Sequence, residues 1–190
     1  MMIKLFQVAK HVQVLCEAQE WEFCFIGGVA LQRWGEPHVT KDVDLTVLTG
    51  FGHEESYIET FLKHFEARIA DAAVFALQNR VLLLQSRDHI GIDIALGGLD
   101  FEALTVKRAT MFEFLPDITL RTCSAEDLII HKAFADRARD WGDIEGIIIR
   151  QQGHLDWEYI DEQLTPLVML KEQPEILDKL KKMKTKIIRT

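Results

Sequence analysis

Two aspartates separated by a single residue, Asp42 and Asp44, lie in an apolar segment. This pair constrains the fold more than any other feature of the chain. The segment DVDLTVL (42–48) has residues typical of a β-strand. Because successive strand side chains point to opposite faces, both aspartates share a face with Thr46, and the apolar residues between them share the other face. Like charges at this spacing, roughly 6.5–7 Å along a strand, repel each other. The face therefore needs a compensating cation.

A double glycine, Gly27-Gly28, stands where a short apolar segment, EFCFIG (22–27), meets the predicted helix GVALQRWG (28–35). Glycine leaves backbone N–H groups uncovered, and the start of a helix favours an anion, so this junction suits a phosphate group. The residues match neither a P-loop nor a GxGxxG pattern. An ordinary strand-to-helix turn would use the same residues, and the sequence leaves both interpretations open.

A third aspartate, Asp93, interrupts the second strand of a predicted hairpin. The segments RVLLLQS (80–86) and IGIDIALG (90–97) are joined by a short polar turn. A carboxylate on a buried strand is costly unless it is paired or bound to a metal. If this strand lies beside the 42–48 strand, the three carboxylates converge, and such a set suits two Mg²⁺ ions. Their repulsion predicts that at least one titrates above its ordinary value.

The first two aspartates also have a structural interpretation. Asp42 would begin a strand as a turn residue, and Asp44 would pair with Lys41 or Arg33. Each motif is ambiguous when it is taken alone. The combination of a double glycine, a D-x-D pair and a later strand aspartate is more specific than any one of them.

The hydrophobic periodicity divides the chain into a mixed α/β part and a helical part. Predicted helices cover residues 3–19, 54–64, 71–79 and most of 125–186, and a further strand pair is predicted within 105–123. Ser124 followed by Asp127 is typical of a helix start. We therefore expect an α/β (α+β) fold, with a small mixed sheet flanked by helices over residues 1–123. A C-terminal helical region over 124–190 would pack on this core.

Five charged residues at helical spacing form a predicted stripe in the helical part. They are Lys132, Asp136, Arg139, Asp140 and Asp143. One continuous helix would place all of them on one face. Such a face suits either a polar cleft or a solvated surface with salt bridges, and spacing alone does not distinguish the two.

Charge and composition limit the partners. The chain has a net charge of −8, but residues 171–190 hold seven Lys/Arg and three acids, so the rest carries −12. An acidic body argues against broad binding to nucleic acid, whereas the basic end suits a solvated last helix or a local contact. Three scattered cysteines without a CxxC pattern predict neither a disulfide framework nor a zinc site. With no apolar segment of membrane-spanning length, we expect a cytoplasmic protein with no membrane partner.

The segments GGVALQRWG, TKDVDLTV and GIDIAL together resemble the nucleotidyltransferase superfamily with the DNA polymerase β-type fold. Its signature is G-[GS], then D-x-[DE], then a later strand aspartate. The form found here is similar to the AbiEii-type branch, which includes toxins of toxin–antitoxin pairs. The segment AEDLIIHKAFADRARDWGDIEGI (125–147) resembles the helical motif of that branch. The resemblance covers roughly residues 20–150 and implies that the mixed sheet is a nucleotidyltransferase core.

The resemblance implies roles for individual residues. The nucleotide would be bound by Gly27, Gly28, Thr40, Lys132, Arg139 and Asp143. The metal ions would be bound by Asp42, Asp44 and Asp93. The catalytic residues would be the same three aspartates together with Lys132. Lys132 would touch the triphosphate, and Asp93 would also help to deprotonate the acceptor. His38 stands where the family often has Arg. This departure leaves the mode of nucleotide binding open.

The expected activity is transfer of a nucleoside monophosphate from an NTP to a hydroxyl or phosphate, with release of pyrophosphate. Two Mg²⁺ ions, with Mn²⁺ as an alternative, would supply most of the charge neutralisation. The acceptor is left open among a small molecule, an RNA end and a protein hydroxyl. Two alternatives stay beside this one. The chain could be a non-catalytic member that binds nucleotide or a partner protein, or a toxin restrained by an antitoxin partner.

Overall fold

The chain divides into two units, which the computed structural model describes for residues 2–37, 39–151 and 153–188. The first unit comprises Met1–Val29 and Val39–Cys123, and the second comprises Ala30–His38 and Ser124–Thr190. Each unit is described by itself below.

A seven-stranded mixed sheet forms the frame of the first unit. Its strands are β1 (Phe23–Phe25), β2 (Asp42–Leu48), β3 (Glu66–Ala67), β4 (Val81–Gln85), β5 (Gly91–Gly97), β6 (Thr110–Leu115) and β7 (Ile118–Thr122). Their order across the sheet is β3-β4-β5-β2-β1-β7-β6. The pairs β2–β5 and β1–β7 are parallel, and the other neighbouring pairs are antiparallel. The predicted fold class and the 80–97 hairpin are confirmed.

The apolar face of the central strands forms the core of the first unit. In β2, Val43, Leu45 and Val47 are fully buried, as the alternation in the sequence predicts. Helices of this unit are α1 (Met2–Ala18), α3 (Glu54–His64), α4 (Ala72–Asn79) and α5 (Asp100–Arg108), and α2 (Gly27–Trp34) begins in it. One continuous cluster of buried side chains includes residues from α1, α3, α4 and the sheet. The opposite face of β2 is thus left for its aspartates.

The segment 105–123 is not strand throughout. The predicted strand pair is present as β6 and β7, but residues 105–108 belong to α5. The carboxylate of Glu102 accepts hydrogen bonds from the N–H groups of Gly98 and Leu99, which caps the first turn of α5. Thr105 and Val106 are buried on this helix, although their β-branched side chains favour strands. The cap and the burial therefore outweigh the local propensity.

Four helices make up most of the second unit: α6 (Ala125–Ala135), α7 (Ala138–Gln151), α8 (Trp157–Leu170) and α9 (Glu175–Ile188). Their buried apolar residues include Leu128, Ile144, Ile160, Leu164 and Leu180. The helical prediction for most of 125–186 is confirmed. None of the described helices is long and apolar enough to cross a membrane.

The prediction of one continuous helix through the charged stripe is wrong. Helix α6 ends at Ala135, the next residue, Asp136, caps it with a left-handed backbone (φ 53°), and α7 begins at Ala138. A short polar side chain tolerates this conformation better than most residues do. The Asp136 carboxylate also accepts hydrogen bonds from the Trp141 indole at 2.6 Å and from Lys179 at 2.9 Å. These contacts stabilise a turn where spacing alone favoured a helix.

The N-cap of α6 provides a test of this unit. The Ser124 hydroxyl accepts a hydrogen bond from the Asp127 N–H at 3.1 Å and donates one to the buried Asp127 carboxylate at 2.6 Å. Ser124→Ala removes both, and we expect it to lower the free energy of unfolding by about 1–2 kcal/mol. Ser124→Thr keeps the capping oxygen and should lose less. Urea unfolding measures both variants, and equal stability of Ser124→Ala and the wild type would contradict the cap.

Candidate active site

A single row of side chains crosses the first unit and contains two of the predicted site residues. Asp44 of β2 lies opposite Asp93 of β5, and Asp93 lies opposite Leu83 of β4. The row continues to Arg68, just after β3, whose N–H donates to the Leu83 carbonyl at 3.0 Å. Residues opposite one another on paired strands share a face. The condition that the sequence analysis set for convergence of the aspartates, that the 42–48 and 90–97 strands lie side by side, is met.

The neighbouring row contains Asp42 and a glycine. Asp42 lies opposite Gly91 at the start of β5. A Cβ atom at Gly91 would overlap both the Asp42 carboxylate and the Arg68 guanidinium. The missing side chain at Gly91 therefore makes room for these two groups to approach each other.

Arg68 is the residue of the site that the sequence analysis missed. Its guanidinium donates a hydrogen bond to Asp93 Oδ1 at 2.6 Å and lies 3.7 Å from Asp42 Oδ1. The three side chains are partly exposed, at 30% for Arg68, 32% for Asp93 and 49% for Asp42. At such exposure the pairs contribute modestly to stability. The compensating cation in this structure is thus an arginine.

The pKa of Asp93 is raised above its ordinary value. Burial is the main cause, and the Asp42 charge adds to it, whereas the charge and hydrogen bond of Arg68 act in the opposite direction. The prediction that one of the three carboxylates titrates high is therefore confirmed. The sequence analysis attributed the raised pKa to repulsion between the carboxylates. Repulsion by Asp42 does contribute, but burial contributes more.

The double glycine packs against Asp44 and Thr40. The Gly28 N–H donates to Asp44 Oδ2 at 3.2 Å. Gly27 has φ +52°, and a side chain there would overlap the Asp44 carboxylate, whereas one at Gly28 would overlap Thr40. The Thr40 hydroxyl donates to the Asp42 carbonyl at 3.3 Å. The start of α2 therefore already binds an anionic group, the Asp44 carboxylate. A phosphate group would be favoured at this position for the same electrostatic reason.

The three aspartates match a divalent cation in chemistry, although they do not form a compact ligand cluster. Within residues 2–37, 39–151 and 153–188, no three or more His, Cys, Asp or Glu side chains are gathered closely enough to hold a metal. The donor set nevertheless consists of carboxylate oxygens, which Mg²⁺ prefers. Arg68 already supplies positive charge to Asp42 and Asp93. The donor atoms of the three aspartates thus fit a hard cation in type.

Lys132 lies in a buried ion-pair network of the second unit. Its ammonium group is 2.6 Å from Asp143 Oδ2 and 3.3 Å from Asp140 Oδ1, and its side chain is only 8% exposed. Arg137 donates to Asp140 Oδ2 at 2.6 Å. Burial alone would raise the pKa of Asp140, but the Arg137 hydrogen bond and the Lys132 charge outweigh it, so the pKa is lowered. The network joins α6 to α7 across the turn at Asp136.

Other predicted residues of the helical motif differ in their surroundings. Arg139 is exposed, whereas Asp140 is fully buried. The stripe is therefore not one uniformly solvated face. His38, the departure from the family pattern, lies outside the described residues. The roles in nucleotide binding that the resemblance assigns to Lys132, Arg139 and Asp143 stay predictions.

Comparison with solved structures finds a similar fold in other proteins. An antigenic nucleotidyltransferase-like protein from Paracoccidioides brasiliensis is 16% identical with a TM-score of 0.50, and the match covers 93% of this chain and 92% of that one. The antibiotic-resistance factor ANT(2'')-Ia is 15% identical with a TM-score of 0.55, covering 90% and 95%. At these identities the likeness concerns the fold. No curated protein sequence gives a match.

A family model extends over most of the chain. The model described as "Nucleotidyl transferase AbiEii toxin, Type IV TA system" matches residues 13–157. This range includes the double glycine, the three aspartates and the Lys132 network. The match exceeds half of the 190 residues. The protein therefore belongs to the AbiEii nucleotidyltransferase family.

Proposed function

We propose that the protein transfers a nucleoside monophosphate from an NTP to an acceptor hydroxyl or phosphate and depends on Mg²⁺. The acceptor oxygen forms a bond to the α-phosphorus, the bond from that phosphorus to the bridging oxygen breaks, and pyrophosphate leaves. The main supporting observation is that Asp44 and Asp93 lie opposite each other on parallel strands, with Asp42 on the same face. Membership of a nucleotidyltransferase family supports the reaction class.

The metal would be held by Asp42, Asp44 and Asp93. Bound Mg²⁺, or Mn²⁺ in its place, neutralises the phosphate oxygens and aligns the nucleotide for in-line displacement. Two observations support this assignment. The three aspartates place oxygen donors on one face, and the negative charges of Asp42 and Asp93 are compensated by the Arg68 guanidinium. Asp42 and Asp44 would serve two ions and Asp93 one of them.

The remaining chemistry belongs to side chains and backbone around the aspartates. Asp93, whose pKa is raised by burial, would accept the proton of the acceptor hydroxyl. The Gly27-Gly28 backbone and Thr40 would face the phosphates, an assignment supported by the N–H of Gly28 that already donates to an anionic oxygen. The family resemblance adds Lys132, Arg139 and Asp143 as nucleotide contacts.

A non-catalytic role is the second candidate, and one observation favours it. The guanidinium of Arg68 and the N–H of Gly28 satisfy the aspartates without any metal. In a member that binds nucleotide or a partner protein without catalysis, these contacts would be the permanent partners of the aspartates. The family description names a toxin of a toxin–antitoxin system, so we also propose an antitoxin partner that restrains the activity. Co-expression with the product of the neighbouring gene tests this, since relief of growth arrest is expected only for a toxin.

We also propose a cytoplasmic location. The supporting observation is that Cys16, Cys24 and Cys123 are buried thiols. Burial raises the pKa of the Cys16 thiol to about 12, which makes this thiol a poor nucleophile at neutral pH. Such cysteines are typical of structural residues in a reducing compartment.

The reaction class is tested by incubating the full chain with each labelled NTP, Mg²⁺ and cell extract. Label that becomes covalently attached to RNA, protein or a small metabolite identifies both the nucleotide and the acceptor. Labelled product from one NTP supports the proposal. The appearance of nucleotide binding without any labelled product would favour the non-catalytic alternative.

Removal of single carboxylates tests the metal site. Asp42→Asn or Asp44→Asn should abolish transfer, because each loses a charged metal ligand while keeping its shape. Thermal stability without metal should stay within a few degrees of the wild type. Asp88→Asn, at the exposed β4–β5 turn of the same unit, is the matched control and should retain activity. Near wild-type transfer by the Asp42/Asp44 double variant would show that the site is misassigned.

Lys132→Ala tests the helical motif. The substitution leaves Asp140 and Asp143 without their buried cation, so we expect a loss of stability of about 3 kcal/mol and a raised KM for NTP. The more exposed pair of Lys186 with Glu145 in the same unit offers a control, and Lys186→Ala should cost less than about 1 kcal/mol. Chemical unfolding gives the stabilities. Calorimetry at a temperature where the variant is folded gives nucleotide affinity, and an unchanged affinity would assign Lys132 to structure alone.

The raised pKa of Asp93 predicts how metal binding depends on pH. A carboxyl group with a raised folded pKa favours folding when protonated, so its contribution is present at low pH and is lost as the pH rises through that pKa. Metal binding needs the deprotonated form. We therefore expect Mg²⁺ to release protons in weakly acidic buffer and to bind more weakly as the pH falls. Calorimetry in buffers of different ionisation enthalpy measures this release, which should be absent from Asp93→Asn.

A further inference from the structure

Arg68 reaches the aspartates from a distant strand, and neither the D-x-D motif nor the later strand aspartate accounts for it. Its backbone is held at the end of β3 by the N–H bond to Leu83. The side chain then crosses the position of Leu83 to reach Asp93, a span of two strand spacings or about 10 Å. A long, partly exposed arginine in this extended conformation costs side-chain entropy. The two carboxylates are the groups that offset this cost.

The guanidinium and a metal ion would compete for the same oxygens. Arg68 donates to Asp93 Oδ1 at 2.6 Å and lies 3.7 Å from Asp42 Oδ1, and both carboxylates belong to the proposed metal set. A divalent cation on these oxygens would lie within a few ångströms of a charged guanidinium. Like charges at this distance in a partly desolvated site repel strongly. The two cations therefore exclude each other from full contact with the carboxylates.

We propose that Arg68 is an internal counter-ion that holds Asp42 and Asp93 in the metal-free protein, leaves them when a divalent cation binds, and so lowers the affinity for the metal. This inference rests on the proposed function only in taking the aspartates as the metal set. The side chain can leave without backbone movement, because its charged end is at the solvent boundary and its long stem is flexible. Gly91 provides the space in which the guanidinium reaches Asp42.

The proposal predicts that loss of Arg68 tightens metal binding. Titration of the full chain with Mn²⁺, followed by electron paramagnetic resonance of the free ion, measures the affinity without any turnover. Removing one positive charge from direct contact with the ligands should tighten Mn²⁺ binding about tenfold in Arg68→Ala. Arg68→Lys keeps the charge but loses the planar fork, so its affinity should lie between those of the wild type and Arg68→Ala. Arg87→Ala is the matched control, since it removes one positive charge from the exposed β4–β5 turn, and it should bind Mn²⁺ within about twofold of wild type.

Thermal unfolding supplies a second readout. Without metal, Arg68→Ala should unfold at a lower temperature than the wild type, because Asp42 and Asp93 lose their cation. Saturating Mn²⁺ should raise its melting temperature by more than it raises that of the wild type. If Arg68→Ala does not fold at working temperature, Arg68→Gln serves in both measurements.

The outcomes separate this proposal from the proposed function. Tighter binding in Arg68→Ala, and loss of binding when Asp93→Asn is added, support the counter-ion. Equal Mn²⁺ affinity of Arg68→Ala and Arg87→Ala, with binding still lost in Asp93→Asn, overturns the counter-ion and leaves the metal site intact. Weaker binding in Arg68→Ala also overturns it. If neither the wild type nor any variant binds Mn²⁺, the metal-dependent function fails and the counter-ion proposal fails with it.

Discussion

The parallel pairing of β2 with β5 is the constraint on which the rest of the first unit depends. Its register puts Asp44 opposite Asp93 and Asp42 opposite Gly91. The apolar residues that alternate with the aspartates are buried, so a shift of one residue would bring carboxylates into the core. The hydrophobic face therefore fixes the register, and the register brings the charges together.

Charge compensation recurs in both units, with different degrees of burial. In the first unit, Arg68 pairs with Asp42 and Asp93, which are partly exposed, and its guanidinium also stays partly exposed to solvent. In the second unit, Lys132 is almost fully buried between Asp140 and Asp143. A partly exposed arginine can exchange partners at lower cost than a buried lysine, which cannot leave two carboxylates without a large penalty. The first arrangement suits a site whose charge changes when a ligand binds, and the second suits a fixed link between helices.

Much of the fold could be predicted because local patterns and tertiary contacts agree. Alternation predicted β2 and β5, and Ser124 predicted the start of α6. The same patterns failed where long-range contacts decided the outcome. Asp136 ends α6 because the Trp141 indole and Lys179 hold its carboxylate, and helical spacing carries no sign of those partners.

The sequence predicted the aspartates of the candidate site but not Arg68, the cation that pairs with two of them. Aspartates between apolar strand residues are conspicuous, because a buried carboxylate needs a partner. Arg68 follows a two-residue strand with exposed residues, so no periodicity marks it as part of a site. A signal was available in principle, since the need for a cation was clear and Gly91 marks a close approach on β5. The sequence could not show which cation would meet that need.

The central claim is that Asp42, Asp44 and Asp93 form a metal-dependent nucleotide site. It is tested most directly by a crystal structure of the full chain with Mn²⁺ and a non-hydrolysable NTP, with the anomalous signal of manganese used to locate the ion. The account predicts an anomalous peak bonded to oxygens of all three aspartates, triphosphate density at the start of α2, and an Arg68 guanidinium displaced from Asp42 and Asp93. Triphosphate bound elsewhere, or no manganese peak at these carboxylates under saturating Mn²⁺, would contradict it.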